Sequence, residues 1–319
     1  MCYSALVEAA YEKYVRMFGA DISLKEFVKR YAGRHGGAPI RFPKALDAAF
    51  AHPKGPEERE IHDLIKAYDA AQLSKLEQEL FKQKKRLADA ERTLRAKTTK
   101  SALENQRIAS AKIEWAKGKI ADIKRAEPRE KDSRIFPGWY APVMISEGGR
   151  RVVKPMRYQC RPAGKPAFYD SKYPGTYNAR RNNLEGFWKG QFGHTHGIMV
   201  VSAFYENVAR HTAEGRELAP GETEENVVLE FRPRPAHDML VACLWSHWVG
   251  KDGDDLWSFA AITDEPPPEV AAAGHDRCII PIKPENIDAW LNPDPNNLGA
   301  LYAILDDRDR PYYEHRMAA

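Results

Sequence analysis

The chain has 319 residues, 43% of them hydrophobic, with 22 prolines and 21 glycines, which favours a globular protein with many loops and a sizeable core. Its net charge is only +4, no apolar run approaches the roughly 18 residues of a membrane-spanning helix, and no signal-peptide pattern opens the chain. The four cysteines (Cys2, Cys160, Cys243, Cys278) show no CxxC spacing, which argues against a disulfide framework or a zinc site. We therefore expect a reduced, cytoplasmic protein, nucleoid-associated if it is bacterial.

The first 50 residues predict mixed helical structure. Residues 3–18 carry apolar side chains at helical spacing, and residues 22–31 repeat the pattern with Ser23 as N-cap and Glu26 three residues later. The stretch from residue 52 to residue 56, His-Pro-Lys-Gly-Pro, then breaks the chain.

Residues 57–127 predict a pair of long helices. Leucines recur at the heptad spacing that is typical of helices packed lengthwise, namely Leu73, Leu80, Leu87 and Leu94, with Leu76 and Ala90 beside them. Ser101 and Glu104 are spaced as a capping box for a second helix, and Pro128 ends the segment. We predict a hairpin whose second arm closes against the first through Leu103, Ile108, Ile113, Ile120 and Ile123. The alternative is one long helix that dimerises.

Charge is concentrated in the same segment. Residues 82–131 hold 16 Lys/Arg and 7 Asp/Glu, a net of +9, which leaves −5 for the rest of the chain. A basic block on an otherwise acidic protein suggests contact with a polyanion, although for the charge block alone a solvated helix face is the preferred interpretation. The inserted helices are also expected to offer a surface for a protein partner or for self-association.

From residue 135 onward the pattern becomes one of short strands separated by turns. The predicted strands cover residues 152–158, 198–205, 227–231, 239–248, 256–263 and 278–282, and only residues 284–291 are predicted to be helical. The sequence therefore predicts an α+β protein with a largely antiparallel, barrel-like β domain and an inserted α-helical hairpin.

Cys2 is the most distinctive single residue. Once Met1 is removed, residue 2 presents an α-amine and a thiol on adjacent carbons, with ordinary pKa values of about 8 and 8.5. Such a 1,2-aminothiol condenses with an aldehyde and closes a thiazolidine ring. A second-residue cysteine without function is the other interpretation, and partners elsewhere in the chain decide between the two.

Three further motifs accompany Cys2, and their order and spacing resemble the SRAP (SOS response-associated peptidase) family. They are Tyr-Asn-Ala-Arg at 177–180, Val-Ser-Ala-Phe-Tyr-Glu at 201–206, and Gly-His-Asp-Arg-Cys-Ile-Ile-Pro at 274–281, the last preceded by a strand that ends at Thr263. The resemblance covers Met1–Cys2 and about residues 134–292. It implies three parts: residues 1–56 as the N-terminal part of the SRAP-like domain, residues 57–128 as an inserted basic hairpin, and residues 129–319 as its β-rich remainder.

The resemblance implies a catalytic set of Cys2, Asn178, Glu206 and His275. Cys2 would be the nucleophile that links to the ring-opened aldehyde of an abasic site in single-stranded DNA, after autocatalytic removal of Met1. Asn178 would position the aldehyde oxygen or the Cys2 backbone. Glu206 would serve as acid and base for Met1 removal and ring closure, and His275 would carry a proton as the sugar opens.

The resemblance also implies phosphate contacts, for which arginine suits because its planar fork donates paired hydrogen bonds. Arg180 and Arg277 match the family's phosphate-binding arginines, and Lys189 is predicted as a further DNA contact. The expected partner is single-stranded DNA with abasic sites, without cofactor, metal or membrane.

Several positions depart from the family pattern. Tyr3 and Ser4 stand in place of Gly-Arg, and Asn207 stands in place of a tryptophan. Gly274 replaces a branched apolar residue, and residues 181–182 and 278–279 also differ. Two other functions therefore stay open: a non-catalytic nucleic-acid or protein-binding module on the same fold, and an N-terminal-cysteine peptidase or amidohydrolase.

Overall fold

The computed structural model describes residues 3–251 and 254–318. Its strands are β1 Ser4–Val7, β2 Asp21–Ile22, β3 Arg134–Ile135, β4 Tyr140–Glu147, β5 Arg150–Tyr158, β6 Asn178–Arg180, β7 His196–Ala209, β8 Asn226–Arg234, β9 Met239–Val249, β10 Asp255–Asp264, β11 Cys278–Ile279, β12 Pro281–Ile282 and β13 Tyr312–Met317. Its helices are α1 Tyr11–Phe18, α2 Leu24–His35, α3 Lys44–Ala49, α4 Pro56–Ala96, α5 Lys100–Lys124, α6 Tyr169–Lys172, α7 Arg210–Ala213, α8 Pro268–Ala272, α9 Ile287–Leu291 and α10 Leu298–Asp306. Short 3-10 turns cover Glu130–Ser133, Arg181–Asn183 and Pro284–Asn286.

Five strands close into a barrel. β9 pairs with β10, β5 with β4, β4 with β7, and β7 with β9, all antiparallel, while β10 and β5 complete the ring as a parallel pair. Shorter strands extend the sheet from this ring. The predicted α+β class with a largely antiparallel barrel is confirmed.

The barrel strands are buried on both faces. Along β7, Met199 and Val201 belong to one apolar cluster, whereas Ile198 and Val200 belong to a second. Because successive side chains of a strand point to opposite faces, each face has its own core. The second core is covered by α9 and α10, with Trp290 fully buried in it.

The N-terminal segment differs from the prediction. Residues 3–18 do not form one helix: Ser4–Val7 is a strand paired with β7, and the helix begins at Tyr11. α2 begins after Ser23 as predicted, but the Ser23 side chain makes no cap hydrogen bond. The prediction that only residues 284–291 are helical in the second half is also wrong, because α10 and three short helices are present there.

The helical hairpin is confirmed, but its seam differs from the prediction. α4 and α5 pack antiparallel, and the buried seam consists of Gln83, Ala90, Ala102, Ala109, Ile113 and Ala116. The heptad leucines are only half-buried, and Leu103 is 48% exposed. Small alanines allow the helices to approach closely, and this pushes the larger side chains to the flanks of the seam. The capping box predicted at Ser101 and Glu104 does not cap α5. The Thr99 hydroxyl caps it instead and accepts a hydrogen bond from the Ala102 N–H at 3.2 Å.

The base of the hairpin is anchored on the N-terminal helices. Ile61 and Ile65 of α4 pack in a cluster with Phe27 and Tyr31 of α2. The division of the chain at residues 56 and 128 remains a prediction. None of the described helices has the length and apolar character needed to cross a membrane.

Candidate functional site

The carboxyl end of β10 brings two of the sequence motifs together. On one side β6 runs parallel to β10, with Arg180 opposite Thr263, and on the other side β11 pairs antiparallel, with Ile279 opposite the same Thr263. The loop that carries His275 and Arg277 leads directly into β11. Residues almost 100 positions apart in the chain therefore meet at Thr263.

A cavity of about 230 Å³ lies at this point. It is lined by Arg180, Arg181, Asn182, Thr263, Asp264, Glu265, Asp276 and Arg277. The two predicted phosphate contacts, Arg180 and Arg277, thus share one cavity. The third predicted contact, Lys189, is exposed and is not among the lining residues.

The cavity contains buried polar atoms that make no hydrogen bond among the described residues, although Nε of Arg181 lies 3.8 Å from the Asp264 carboxylate. Thr263 is 1% exposed, and its hydroxyl makes no hydrogen bond. Nη1 of Arg277 and Nε of Arg181 are also buried without a hydrogen bond. Three carboxylates also line the cavity: Asp264 ion-pairs with Arg308, Asp276 ion-pairs with Arg277 at 3.1 Å, and Glu265 is the third. Because buried polar groups are normally satisfied, this set of donors is suited to an oxyanion such as a phosphate.

Thr263 is the functional candidate that the sequence analysis missed. The motif that contains it was recognised, but no role was assigned to its hydroxyl. The available signal was a polar residue at the end of the predicted strand 256–263, directly after the apolar run 259–262.

His275, two residues before Arg277 in the same loop, contacts Glu206 and forms a second candidate centre with it. Glu206 lies on β7 with no exposed surface, and its Oε2 is 3.1 Å from Nε2 of His275. Nδ1 of His275 lies 2.9 Å from the Arg277 carbonyl oxygen, and the Arg277 N–H is farther from it, at 3.3 Å. Since a carbonyl only accepts, the shorter contact places a proton on Nδ1 and turns Nε2 towards the carboxyl group.

The environment of this pair favours proton transfer. Burial raises the pKa of the Glu206 carboxyl above its usual range, while the neighbouring His275 imidazole opposes the rise. A buried carboxyl group with a raised pKa, in contact with an imidazole, is suited to general acid–base chemistry.

The loop that holds His275 requires glycine at position 274. Gly274 has a φ of +94°, and a Cβ there would lie 2.7 Å from Cγ2 of Thr212. This explains the departure from the family pattern at residue 274, because a branched side chain fits neither the backbone nor the space.

Asn178 lies on β6 at the edge of the cavity region. It is buried, and the Tyr158 hydroxyl lies 3.5 Å from its Oδ1. It is two residues from Arg180, so the two side chains leave the strand on the same side.

The described chain begins beside Glu206. The Tyr3 N–H donates to the Tyr205 carbonyl at 3.4 Å, and Ser4 is opposite Tyr205 in the β1–β7 pairing. Arg134 holds this start in place, with its Nε donating to the Ser4 hydroxyl at 2.9 Å. Cys2, the predicted nucleophile, lies outside the described residues.

The other three cysteines are buried. Burial raises the pKa of the Cys160 thiol to about 12 and also raises the pKa values of Cys243 and Cys278. Thiols in such surroundings are poor nucleophiles, because the reactive species is the thiolate. Within residues 3–251 and 254–318 there is also no group of three His, Cys, Asp or Glu side chains placed to hold a metal ion.

Comparison with known proteins gives a family match and several matches to solved structures. The family model described as SOS response associated peptidase (SRAP) matches residues 92–317, more than half of the chain. Among solved structures, a Bordetella bronchiseptica protein is 15% identical with a TM-score of 0.46, covering 61% of this chain and 90% of its own. A Bacteroides thetaiotaomicron protein is 14% identical with a TM-score of 0.45, covering 58% and 77%. A phage-related protein from Bordetella bronchiseptica is 18% identical with a TM-score of 0.42, covering 58% and 80%.

No curated protein matches the chain significantly. The family match includes Asn178, Glu206 and His275, as well as the cavity that Arg180 and Arg277 line, and it excludes residues 1–91. The chain belongs to the SOS response associated peptidase (SRAP) family.

Proposed function

We propose that this protein removes its own Met1 and then uses Cys2 to form a covalent thiazolidine crosslink with abasic sites in single-stranded DNA, as part of a DNA damage response. The observation that carries the proposal is the loop at residues 275–277. One of its residues, His275, lies against the buried carboxyl group of Glu206, and another, Arg277, lines the same cavity as Arg180. Proton transfer beside a phosphate site is the combination that aldehyde chemistry on a DNA backbone requires.

The first step is hydrolysis of the Met1–Cys2 peptide bond. Water adds across the bond, methionine leaves with a new carboxyl group, and Cys2 gains a free α-amine. Glu206 is suited to this step because its carboxyl group can take a proton from the attacking water and deliver one to the leaving amine. The raised pKa of Glu206 supports this role, since burial makes its carboxyl group a better proton acceptor than an exposed carboxylate.

The crosslink itself conserves atoms and uses no oxidant. The Cys2 amine adds to the aldehyde carbon of the open abasic sugar, water leaves to give an iminium, and the thiolate adds to the same carbon. The net reaction of aldehyde and aminothiol gives a thiazolidine and one water. His275, which faces Glu206 through Nε2, supplies and removes protons as the sugar opens and the hydroxyl group departs.

Selectivity for DNA rests on the cavity at the end of β10. Arg180 and Arg277 supply positive charge, and Thr263 supplies a buried hydroxyl that has no hydrogen-bond partner among the described residues. A phosphate beside the lesion satisfies these donors together. Asn178, two residues from Arg180, is assigned to position the aldehyde oxygen or the Cys2 backbone.

The choice of nucleophile follows from elimination as well as from resemblance. The three described cysteines are buried with raised thiol pKa values, which leaves Cys2 as the candidate thiol. The described chain starts beside Tyr205, the residue before Glu206, and Cys2 precedes that start by one residue.

The test is denaturing electrophoresis with two single-stranded oligonucleotides of identical sequence, one of which carries an abasic site. We expect a slower-migrating adduct with the abasic strand alone, and an intact mass that shows loss of Met1. If the protein retains Met1 and forms no adduct at any near-neutral pH, the proposal is contradicted and a non-covalent binding module is favoured.

A further inference from the structure

The helical hairpin forms an arm that the proposed chemistry does not use. Beyond residue 69, the hydrogen bonds and ion pairs described for α4 side chains stay within α4 or go to α5, as between Arg86 and Asn105 or between Glu79 and Lys112. At 1.5 Å per residue, the stretch from residue 70 to residue 96 is about 40 Å long. The arm is far longer than the base that packs on α2.

A groove with a cavity volume of about 580 Å³ runs along one face of this arm. Its basic lining residues are Lys82, Lys85, Arg86 and Lys112, and its hydroxyl-bearing ones are Thr93, Thr99 and Ser101. The acidic residue in the lining, Asp89, ion-pairs with Arg92 at 3.2 Å. The groove therefore presents an excess of positive charge together with hydroxyl groups.

The floor of the groove is polar and fixed. Gln83 lies on the seam with 2% of its surface exposed, and its amide nitrogen donates to Glu79 at 2.9 Å. Its amide oxygen is buried and has no hydrogen bond within the described part of the chain. Arg86 is held by Asn105, to whose Oδ1 its Nε and Nη2 donate at 3.0 and 2.6 Å. A guanidinium fixed in this way retains further donors for a ligand.

We propose that this groove binds the sugar-phosphate backbone of a nucleic acid strand outside the lesion. The inference deepens the proposed function, since it gives the crosslinking protein a second contact with DNA. Residues 82–112 hold ten Lys/Arg and three Asp/Glu, which matches a polyanion. The polar Gln83 floor does not suit an apolar helix or a lipid surface.

Adjacent lysines on α4 provide a matched control. Lys82 and Lys85 line the groove, while Lys84 and Arg95 are exposed on the same helix and do not line it. The variants Lys82→Ala/Lys85→Ala and Lys84→Ala/Arg95→Ala remove the same charge, and alanine preserves the helix. Circular dichroism checks that both are folded. If helicity falls, the single variants Lys85→Glu and Lys84→Glu make the same comparison.

The measurement is fluorescence anisotropy of a labelled single-stranded oligonucleotide without an abasic site, over a series of salt concentrations. We expect the groove variant to lower the slope of log K against log[salt] by about 1.4, because each lost phosphate contact on a single strand contributes about 0.7. This corresponds to about 25-fold weaker binding at 0.1 M salt. The Lys84/Arg95 variant is expected to change the slope by less than half as much.

The outcome is independent of crosslinking, because the probe carries no aldehyde. If the wild-type protein forms no adduct with the abasic strand, but the groove and control variants still differ in salt slope as expected, the proposed function is overturned and the groove proposal stands. Equal slope changes in the two variants, or no change in the groove variant, would overturn the groove. Binding to vesicles that contain phosphatidylserine, lost in the groove variant while its DNA affinity is unchanged, would also overturn it in favour of a membrane surface.

Discussion

Glu206→Gln separates the chemical role of the buried carboxyl group from its structural role. Glutamine has nearly the same shape, and its amide can still donate to the Nε2 nitrogen of His275, which lies 3.1 Å from the carboxylate. It cannot take up or release a proton. A loss of activity in a folded variant therefore reports proton transfer.

The expected loss of rate is large. General acid–base help contributes about two to four orders of magnitude, or roughly 2.7 to 5.5 kcal/mol in activation free energy. Glu206 has no exposed surface, so bulk water replaces it poorly as a base. We expect Met1 removal and crosslinking to slow by about 10² to 10⁴.

The pH dependence has a definite sign. Burial raises the pKa of the folded-state carboxyl above its unfolded value, so folding favours the protonated form. The free energy of unfolding of the wild type, relative to that of Glu206→Gln, therefore rises as the pH falls. The rise begins near the pKa of the folded state and is complete below the ordinary carboxyl pKa of 4.5. The slope of that difference is at most about 1.4 kcal/mol per pH unit, since one proton is involved.

Two measurements on the same protein samples check these expectations. Quantified denaturing gels give the crosslinking rate from about pH 5 to pH 9, and urea unfolding over the same range gives the stability difference. Rates within twofold of wild type would remove Glu206 from the reaction. A stability difference that moves in the opposite direction with pH would show that the carboxyl group is preferentially ionised in the folded protein. His275→Ala, tested in parallel, is expected to slow the same steps.

Cys2→Ala is expected to abolish the covalent adduct while reversible DNA binding persists, and Cys2→Ser is expected to be nearly as inactive because an oxazolidine is far less stable; a full adduct yield from either would exclude the aminothiol. Arg180→Ala and Arg277→Ala should each lower the salt slope of single-strand binding by about 0.7, and an unchanged slope in both would place the DNA elsewhere. Thr263→Val keeps the shape of the side chain but removes the unpaired hydroxyl, so affinity should fall about five- to tenfold, as expected for one hydrogen bond of roughly 1 kcal/mol; equal affinity would mean that no phosphate contacts it. Ala109→Leu overpacks the fully buried hairpin seam and should cost about 1–3 kcal/mol in unfolding free energy, measured by urea unfolding, with the adduct yield unchanged at saturating DNA; a neutral effect would show that the helices are not closely packed.

Local patterns were sufficient for the β-rich half and for the existence of the hairpin. Apolar runs bounded by turn residues predicted β5, β7 and β10, and strands buried on both faces retain this signal. Sustained heptad spacing predicted two long helices, because helical periodicity depends on residues close in sequence. Where close approach decides the packing, the pattern misled: alanines, not leucines, occupy the seam.

The N-terminal strand was missed for a different reason. Residues 4–7 have apolar side chains that fit a helix or a strand, and their pairing with β7 is a contact across almost 200 positions. Periodicity within a short window contains no information about that partner. Gly274 is similar, since its requirement for a positive φ is visible only in the folded loop beside Thr212.

For the candidate site, the sequence by itself determined which chemical groups are available: a carboxyl group, an imidazole, an amide and arginines in recognisable motifs, together with Cys2. Only the tertiary structure decided which of them act together. The pairing of β10 with both β6 and β11 places Arg180 and Arg277 around one cavity, where the Thr263 hydroxyl makes no hydrogen bond to any described residue. The 3.1 Å contact of His275 with Glu206 places an imidazole and a buried carboxyl group within reach of proton exchange. The physical reason is that desolvation and hydrogen bonding between distant segments, which set pKa values and leave donors unsatisfied, arise only when the chain has folded.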